Sequence, residues 1–341
     1  MTAKKLDSSH KEKTPLTERS LENACLPFER PLVELEKRIR ELKASSREGI
    51  DLSEEIRGAE KKLEKALKEI FDHLTPWQRV QVARHSLRPY TYDYIRYLTT
   101  DFIELHGDRY FSDDRAIITG FAKWGGREKV AIVGHQKGRD TKENLFRSFG
   151  SAHPEGYRKA LRIMRLAEKF SVPILSLIDT PGAYPGVGAE ERGQAEAIAV
   201  NLMEMAELAT PILVVVIGEG GSGGALGIGV GDRVYVLENA YYSVISPEGC
   251  AAILWKENSK TPDAAQALKL TARDLFEMGL IDGVIPEPLG GAHRDFEQTA
   301  ENLRKSVDTA LEELKALSKK ELLERRYEKF RRAGVFREKK S

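Results

Sequence analysis

Cysteine is almost absent from this 341-residue chain: Cys25 and Cys250 stand far apart, with no C-x-x-C spacing and no histidine pair beside them. A disulfide framework and a zinc ribbon are thereby excluded. An excess of one charge is missing too. Lys and Arg number 54 against 53 Asp and Glu, a net charge of +1, so the overall balance points to neither nucleic acid nor a membrane surface as partner. No apolar run reaches the roughly 18 residues of a membrane span. The opening residues (Lys4, Lys5, Asp7, His10, Lys11, Glu12, Lys13) lack the apolar core of a signal peptide. A cytoplasmic protein that is not exported is the expectation. At about 150 residues per domain, the length allows one large or two ordinary domains.

What is present is glycine, concentrated in one place. Gly218 to Asp232 reads GEGGSGGALGIGVGD and follows the apolar run Ile212 to Ile217. Six aliphatics without polar alternation suit a parallel strand buried on both faces, ending where the glycines begin. Gly220, Gly221, Gly223 and Gly224 around Ser222 leave the backbone nearly bare, so its NH groups can approach a ligand at the start of a helix. Gly218, Gly220 and Gly223 match G-x-G-x-x-G, with Glu238 near the place of a ribose-binding acid. Gly220, Ser222 and Gly224 match the nucleophile elbow G-x-S-x-G, for which His135, His153 and His293 are the candidate bases. A third reading is an oxyanion hole of backbone NH groups alone. A fourth is a purely structural turn, whose helix (Ala225, Gly227, Gly229, Gly231) packs closely on a sheet. The loop alone leaves all four open.

Taken in order, residues 1–30 are polar and read as a disordered tail. Residues 31–74 predict an antiparallel helix pair, with Leu32, Leu35, Ile39 and Leu42 on one stripe and Ile56, Leu63, Leu67 and Ile70 on the other. Thr75 caps a helix with Pro76 in its first turn. A helical stripe is read through Tyr94, Leu98, Ile103 and Leu105. From Ala116 the pattern changes to strands. A hairpin of 116–124 and 129–133 comes first, then strands at 172–178, 212–217, 233–238 and 241–245, with helices between them. Strand ends near 134, 178 and 217 fall roughly forty residues apart, each followed by a glycine turn; right-handed crossovers would bring these turns to one edge of a parallel sheet. Residues 296–341 read as amphipathic helices with a basic end (Arg325, Arg326, Lys329, Arg331, Arg332) that complements a helix C-terminus.

Four motifs stand together in this order: ELHGDRY at 104–110, DTPGAYPG at 179–186, GEGGSGGALGIGVGD at 218–232 and YYSVISPEGCAAILWK at 241–256. Over roughly residues 30–325 the chain closely resembles the carboxyltransferase α subunit of bacterial and plastid multi-subunit acetyl-CoA carboxylase. The resemblance implies an α/β crotonase-like fold, a spiral of ββα units occupying 75–295. It implies a carboxyltransferase that moves carboxyl from carboxybiotin, borne by a biotin carboxyl carrier protein, to acetyl-CoA, giving malonyl-CoA for fatty acid synthesis. It implies a β subunit in an α2β2 heterotetramer, with zinc only on that subunit, and biotin carboxylase in the wider complex. Gly223 and Gly224 would give the NH groups for the biotin ureido oxygen. Gly220, Gly221 and Ser222 would shape the loop, and Thr180, Pro181, Gly182, Ala183 and Tyr184 would line the biotin pocket. The chain carries no Met-Lys-Met biotinylation site and no G-x-x-x-x-G-K-[ST] loop. Biotin attachment and ATP-driven carboxylation are therefore expected on other chains.

Overall fold

The computed structural model describes residues 24–47 and 51–334. Most of the expected tail, residues 1–23, lies outside the described residues. The remainder of that tail is a correction: Pro27–Glu29 form a 3-10 turn, and a helix α1 (Arg30–Arg47) continues directly from it. Glu29 is buried because its carboxylate accepts from Leu26 N at 2.9 Å and from Arg294 Nε at 3.3 Å, and meets His293 Nε2 at 2.9 Å. Leu26 and Phe28 pack beside Leu32 and Phe71. Hydrogen bonds to one buried carboxylate and two apolar side chains are enough to dock a segment that looks polar by composition.

The second arm helix, α2 (Ser53–Asp72), packs along α1 and buries Phe71. Thr75 caps α3 (Pro76–Ala83) as its sequence predicts, accepting from Gln78 N at 3.2 Å while Gln78 Oε1 accepts from Thr75 N. The helical stripe through Leu105 is overturned. Helix α4 (Thr91–Leu98) stops where Thr99 Oγ1 donates to Ile95 O at 2.6 Å, and strand β1 (Thr99–Glu104) follows. In β1 Phe102 is buried and Ile103 exposed, an alternation that belongs to a strand.

Strands β2 (Ile117–Trp124) and β3 (Glu128–His135) form the expected hairpin. Helix α5 (Pro154–Lys169) leads to β4 (Ile174–Thr180), and α6 (Gln194–Glu207) leads to β5 (Ile212–Gly221). A short helix α7 (Ser222–Leu226) precedes β6 (Arg233–Leu237) and β7 (Tyr241–Ser243). Helix α8 (Pro247–Leu254), strand β8 (Gly283–Ile285), and helices α9 (Phe296–Lys315) and α10 (Lys319–Arg331) complete the chain. The eight strands make one sheet in the order β1-β2-β3-β4-β5-β6-β8, with β7 beside the end of β5. From β3 onward every pairing is parallel, so the C-terminal ends of β3, β4 and β5 share one edge. That edge is where open parallel sheets place their ligands. All seven residues of β4 and all ten of β5 are buried, as strands covered on both faces are.

The basic end of the chain behaves differently from its expectation in one residue. Arg326 is buried; it pairs with Asp232 at 2.7 Å and donates to Met205 O and Leu208 O at the end of α6. It does complement a helix C-terminus, but that of another helix. Among the described residues no helix is long and apolar enough to cross a membrane.

Candidate active site

Two backbone turns lie side by side at the C-terminal ends of β4 and β5. In the sheet register Thr180 sits opposite Gly220. A Cβ on Gly221 would collide with the Pro181 carbonyl, and one on Gly224 would stand 2.5 Å from Ala183 N and from the Gly182 carbonyl carbon. The segments 180–184 and 220–224 therefore touch main chain to main chain. The strand also runs further than the sequence suggests, since Gly218 to Gly221 still belong to β5. Glycine is needed there for proximity: a Cβ on Gly218 would meet the Asp179 carboxylate at 2.6 Å, and one on Gly220 the Tyr242 ring at 2.9 Å.

The chain turns at Ser222, whose φ of +50° is left-handed, a costly conformation for a residue with a Cβ. Its side chain is exposed, and no side-chain cap closes the first turn of α7. The NH groups of Gly223 and Gly224 belong to that first turn, where an α-helix offers its donors no partner of its own. Gly223 has space around it, with Ile198 Cδ1 3.7 Å from where a Cβ would stand. The expected NH donors thus head a turn stripped of shielding side chains. On the facing turn, Thr180 Oγ1 accepts from Gly182 N at 3.1 Å and donates to Gly182 O at 2.9 Å. The Tyr184 ring is partly exposed and stacks on His153 with centroids 4.0 Å apart.

Beneath the turns lies a charged network that the sequence does not announce. Lys137 Nζ donates to Asp179 Oδ1 at 2.6 Å and to Glu219 Oε1 at 2.7 Å. The same Asp179 oxygen accepts from Glu219 N at 2.9 Å. Glu219 Oε2 takes Arg84 Nε at 2.6 Å and Tyr241 OH at 2.7 Å, and Arg84 reaches on to Glu248 at 2.5 Å. Burial opposes the Glu219 charge, yet Lys137 and Arg84 outweigh it and hold its pKa at about 2. Burial likewise opposes the Lys137 charge, and the carboxylates of Asp179 and Glu219 reverse the effect, so its pKa is raised. Both turns are in this way clamped from below by fixed charges. Nearby, Arg88 Nε donates to Ile217 O at 2.7 Å and pairs with the buried Glu287.

The competing chemistries find no geometry. Among the described residues Ser222 has no histidine partner: His135 is buried within the sheet, His153 stacks on Tyr184 and meets Asp114, and His293 meets Glu29. Glu238, the candidate ribose acid, accepts from Glu287 N at 3.1 Å, and Gly218 and Gly220 serve sheet packing. The helix expected to carry Ala225, Gly227, Gly229 and Gly231 ends at Leu226, but the close packing read for its glycines holds at Gly227 and Gly231, where a Cβ would meet the Tyr157 ring at 2.6 Å and Val214 at 2.8 Å.

The architecture is a crotonase-like fold. The fold recurs in a subunit of a Pseudomonas malonate decarboxylase hetero-tetramer (TM-score 0.52, 16% identity, 62% of this chain and 85% of that one). It recurs also in the β subunit of Pseudomonas aeruginosa geranyl-CoA carboxylase (TM-score 0.50, 15% identity, 74% and 45%). Residues 25–334 match the family described as acetyl co-enzyme A carboxylase carboxyltransferase-like, and the chain belongs to that family. The acetyl-coenzyme A carboxylase carboxyl transferase subunit alpha of Geobacter metallireducens is 58% identical over 313 residues, covering 92% of this chain and 98% of its own. The protein of the same name from Thermus thermophilus is 57% identical over 314 residues, covering 92% and 99%.

Proposed function

We propose that this chain, with a β subunit, transfers the carboxyl group of carboxybiotin to acetyl-CoA and so makes malonyl-CoA for fatty acid synthesis. The observation that carries the reading is a pair of glycine NH groups heading an uncapped turn beside a second, side-chain-poor turn. When bound, carboxybiotin supplies its own base, because loss of the carboxyl group leaves the ureido oxygen negative and able to take the acetyl proton. What remains for the protein is to hold oxyanions. The NH groups of Gly223 and Gly224 donate to the ureido oxygen, in fixed positions that need no reorganisation as charge develops. Thr180, Pro181, Gly182, Ala183 and Tyr184 line the biotin pocket, with the stacked Tyr184 and His153 rings as one wall. Gly220 and Gly221 keep the two turns in contact, and Ser222 turns the chain with a small side chain.

In this reading the β subunit holds the thioester oxyanion and the zinc, and two copies of each subunit form a heterotetramer. The carrier protein brings the biotin, and biotin carboxylase completes the wider cytoplasmic assembly. The test is malonyl-CoA formation from carboxybiotin and acetyl-CoA by the chain alone and with its β subunit. Activity only in the mixture supports the reading; full activity of the chain alone overturns the shared site.

A further inference from the structure

The groove between α5 and α6 is lined with cations that the fold uses only in part; Arg158 donates to Arg192 O at 2.6 Å. Arg158, Arg162, Arg165 and Lys169 recur along one face of α5, a spacing at which like charges destabilise a helix. Arg109 joins them from a turn in which Gly107 (φ +75°) and Arg109 (φ +66°) are both left-handed. Burial and then the facing Arg109 lower the pKa of Arg162. Some of the charge is used locally: Arg162 donates to Gly107 O and Arg165 pairs with Glu204. Lys169 has no hydrogen bond or ion pair among the described residues, and Arg109 Nη1 donates to the His106 carbonyl at 2.9 Å. Five cations face two carboxylates around a cavity of about 580 Å³.

One further feature narrows the ligand. Leu166 and Val200 give the groove an apolar floor.

We propose that this groove binds a phosphorylated nucleotide. The phosphates meet Arg109, Arg162 and Lys169, and the nucleoside covers the apolar floor. Inorganic phosphate has no group for the floor, and a fatty acyl chain has none for the cations. The inference does not depend on carboxyl transfer.

Isothermal titration of the full chain with ATP and with pyrophosphate, at low salt, tests it. ATP is expected to bind saturably and at least about tenfold more tightly than pyrophosphate, since charge-assisted bonds alone do not use the floor. Arg109 and Lys169 are exposed, so the Arg109→Glu, Lys169→Glu double variant should fold, as checked by circular dichroism, and lose at least about tenfold in ATP affinity. No saturable ATP binding, unchanged affinity in the folded double variant, or pyrophosphate binding as tight as ATP would each overturn the proposal.

Discussion

A Cβ on Gly224 would stand 2.5 Å from the backbone nitrogen of Ala183, so the two turns of the site approach as closely as main chain can. Gly223, one residue away, has only Ile198 Cδ1 at 3.7 Å. Adjacent glycines therefore carry different demands. Gly224→Val should force the turns apart and lower carboxyl transfer at least about a hundredfold, the scale of losing an oxyanion donor. Gly223→Ala should leave the folded state near wild type in a denaturant titration. Equal loss of stability in the two variants would contradict the packing described.

Lys137 lies under both turns with Asp179 and Glu219 on its ammonium. Lys137→Met leaves the buried Asp179 without its ion-pair partner and Glu219 with Arg84 alone, and breaking a buried pair in this way costs about 3–5 kcal/mol. Urea unfolding should show that loss with an unchanged slope. A variant as stable as wild type would mean that water, rather than Lys137, balances those carboxylates.

Acid should destabilise the protein in two stages. Burial is the main cause that holds the His85 and His135 pKa values down at about 3, below the ordinary 6.5. For Glu29, Glu219 and Glu287, charge partners outweigh burial and hold them at about 2, below 4.5. In both sets the folded state binds fewer protons than the unfolded chain, so stability is intact above the unfolded pKa and lost as pH falls toward the folded one. Unfolding free energy should decline from about pH 6.5 and more steeply below about 4.5, each titrating group adding about 1.4 kcal/mol per pH unit. A flat profile between pH 6 and 3 would refute the buried neutral histidines and the paired carboxylates together.

Glu29 ties the start of the described chain to His293 and Arg294 near its far end. Glu29→Ala leaves Arg294 and the Leu26 amide without this acceptor and should cost at least about 2 kcal/mol. Thermal unfolding of the full-length variant reads this directly. An unchanged melting temperature would show that the arm docks through Leu26 and Phe28 alone.

Strands β2 to β5 were legible because their apolar residues are bounded by turn residues, and Thr75 announced its helix by capping chemistry. The end of α4 was not, since Ile103 and Leu105 fit a helical stripe and a strand alternation equally well until β2 pairs with one of them. The end of β5 misled for another reason. Glycine in Gly218 to Gly221 signals a neighbour too close for a side chain, and sequence cannot separate that from a loop. The clamp of Arg84, Lys137, Asp179, Glu219, Tyr241 and Glu248 draws on positions spread over 164 residues. Only the fold brings them together.

The central claim is that backbone NH groups, and no nucleophilic side chain, do the chemistry at Gly223 and Gly224. Ser222 is exposed and, among the described residues, no histidine meets its hydroxyl. The most direct measurement is the steady-state rate of malonyl-CoA formation by Ser222→Ala, assembled with its β subunit. The account predicts a rate within about tenfold of wild type, since the turn and both NH donors remain. A folded, assembled Ser222→Ala enzyme with no measurable transfer would contradict it.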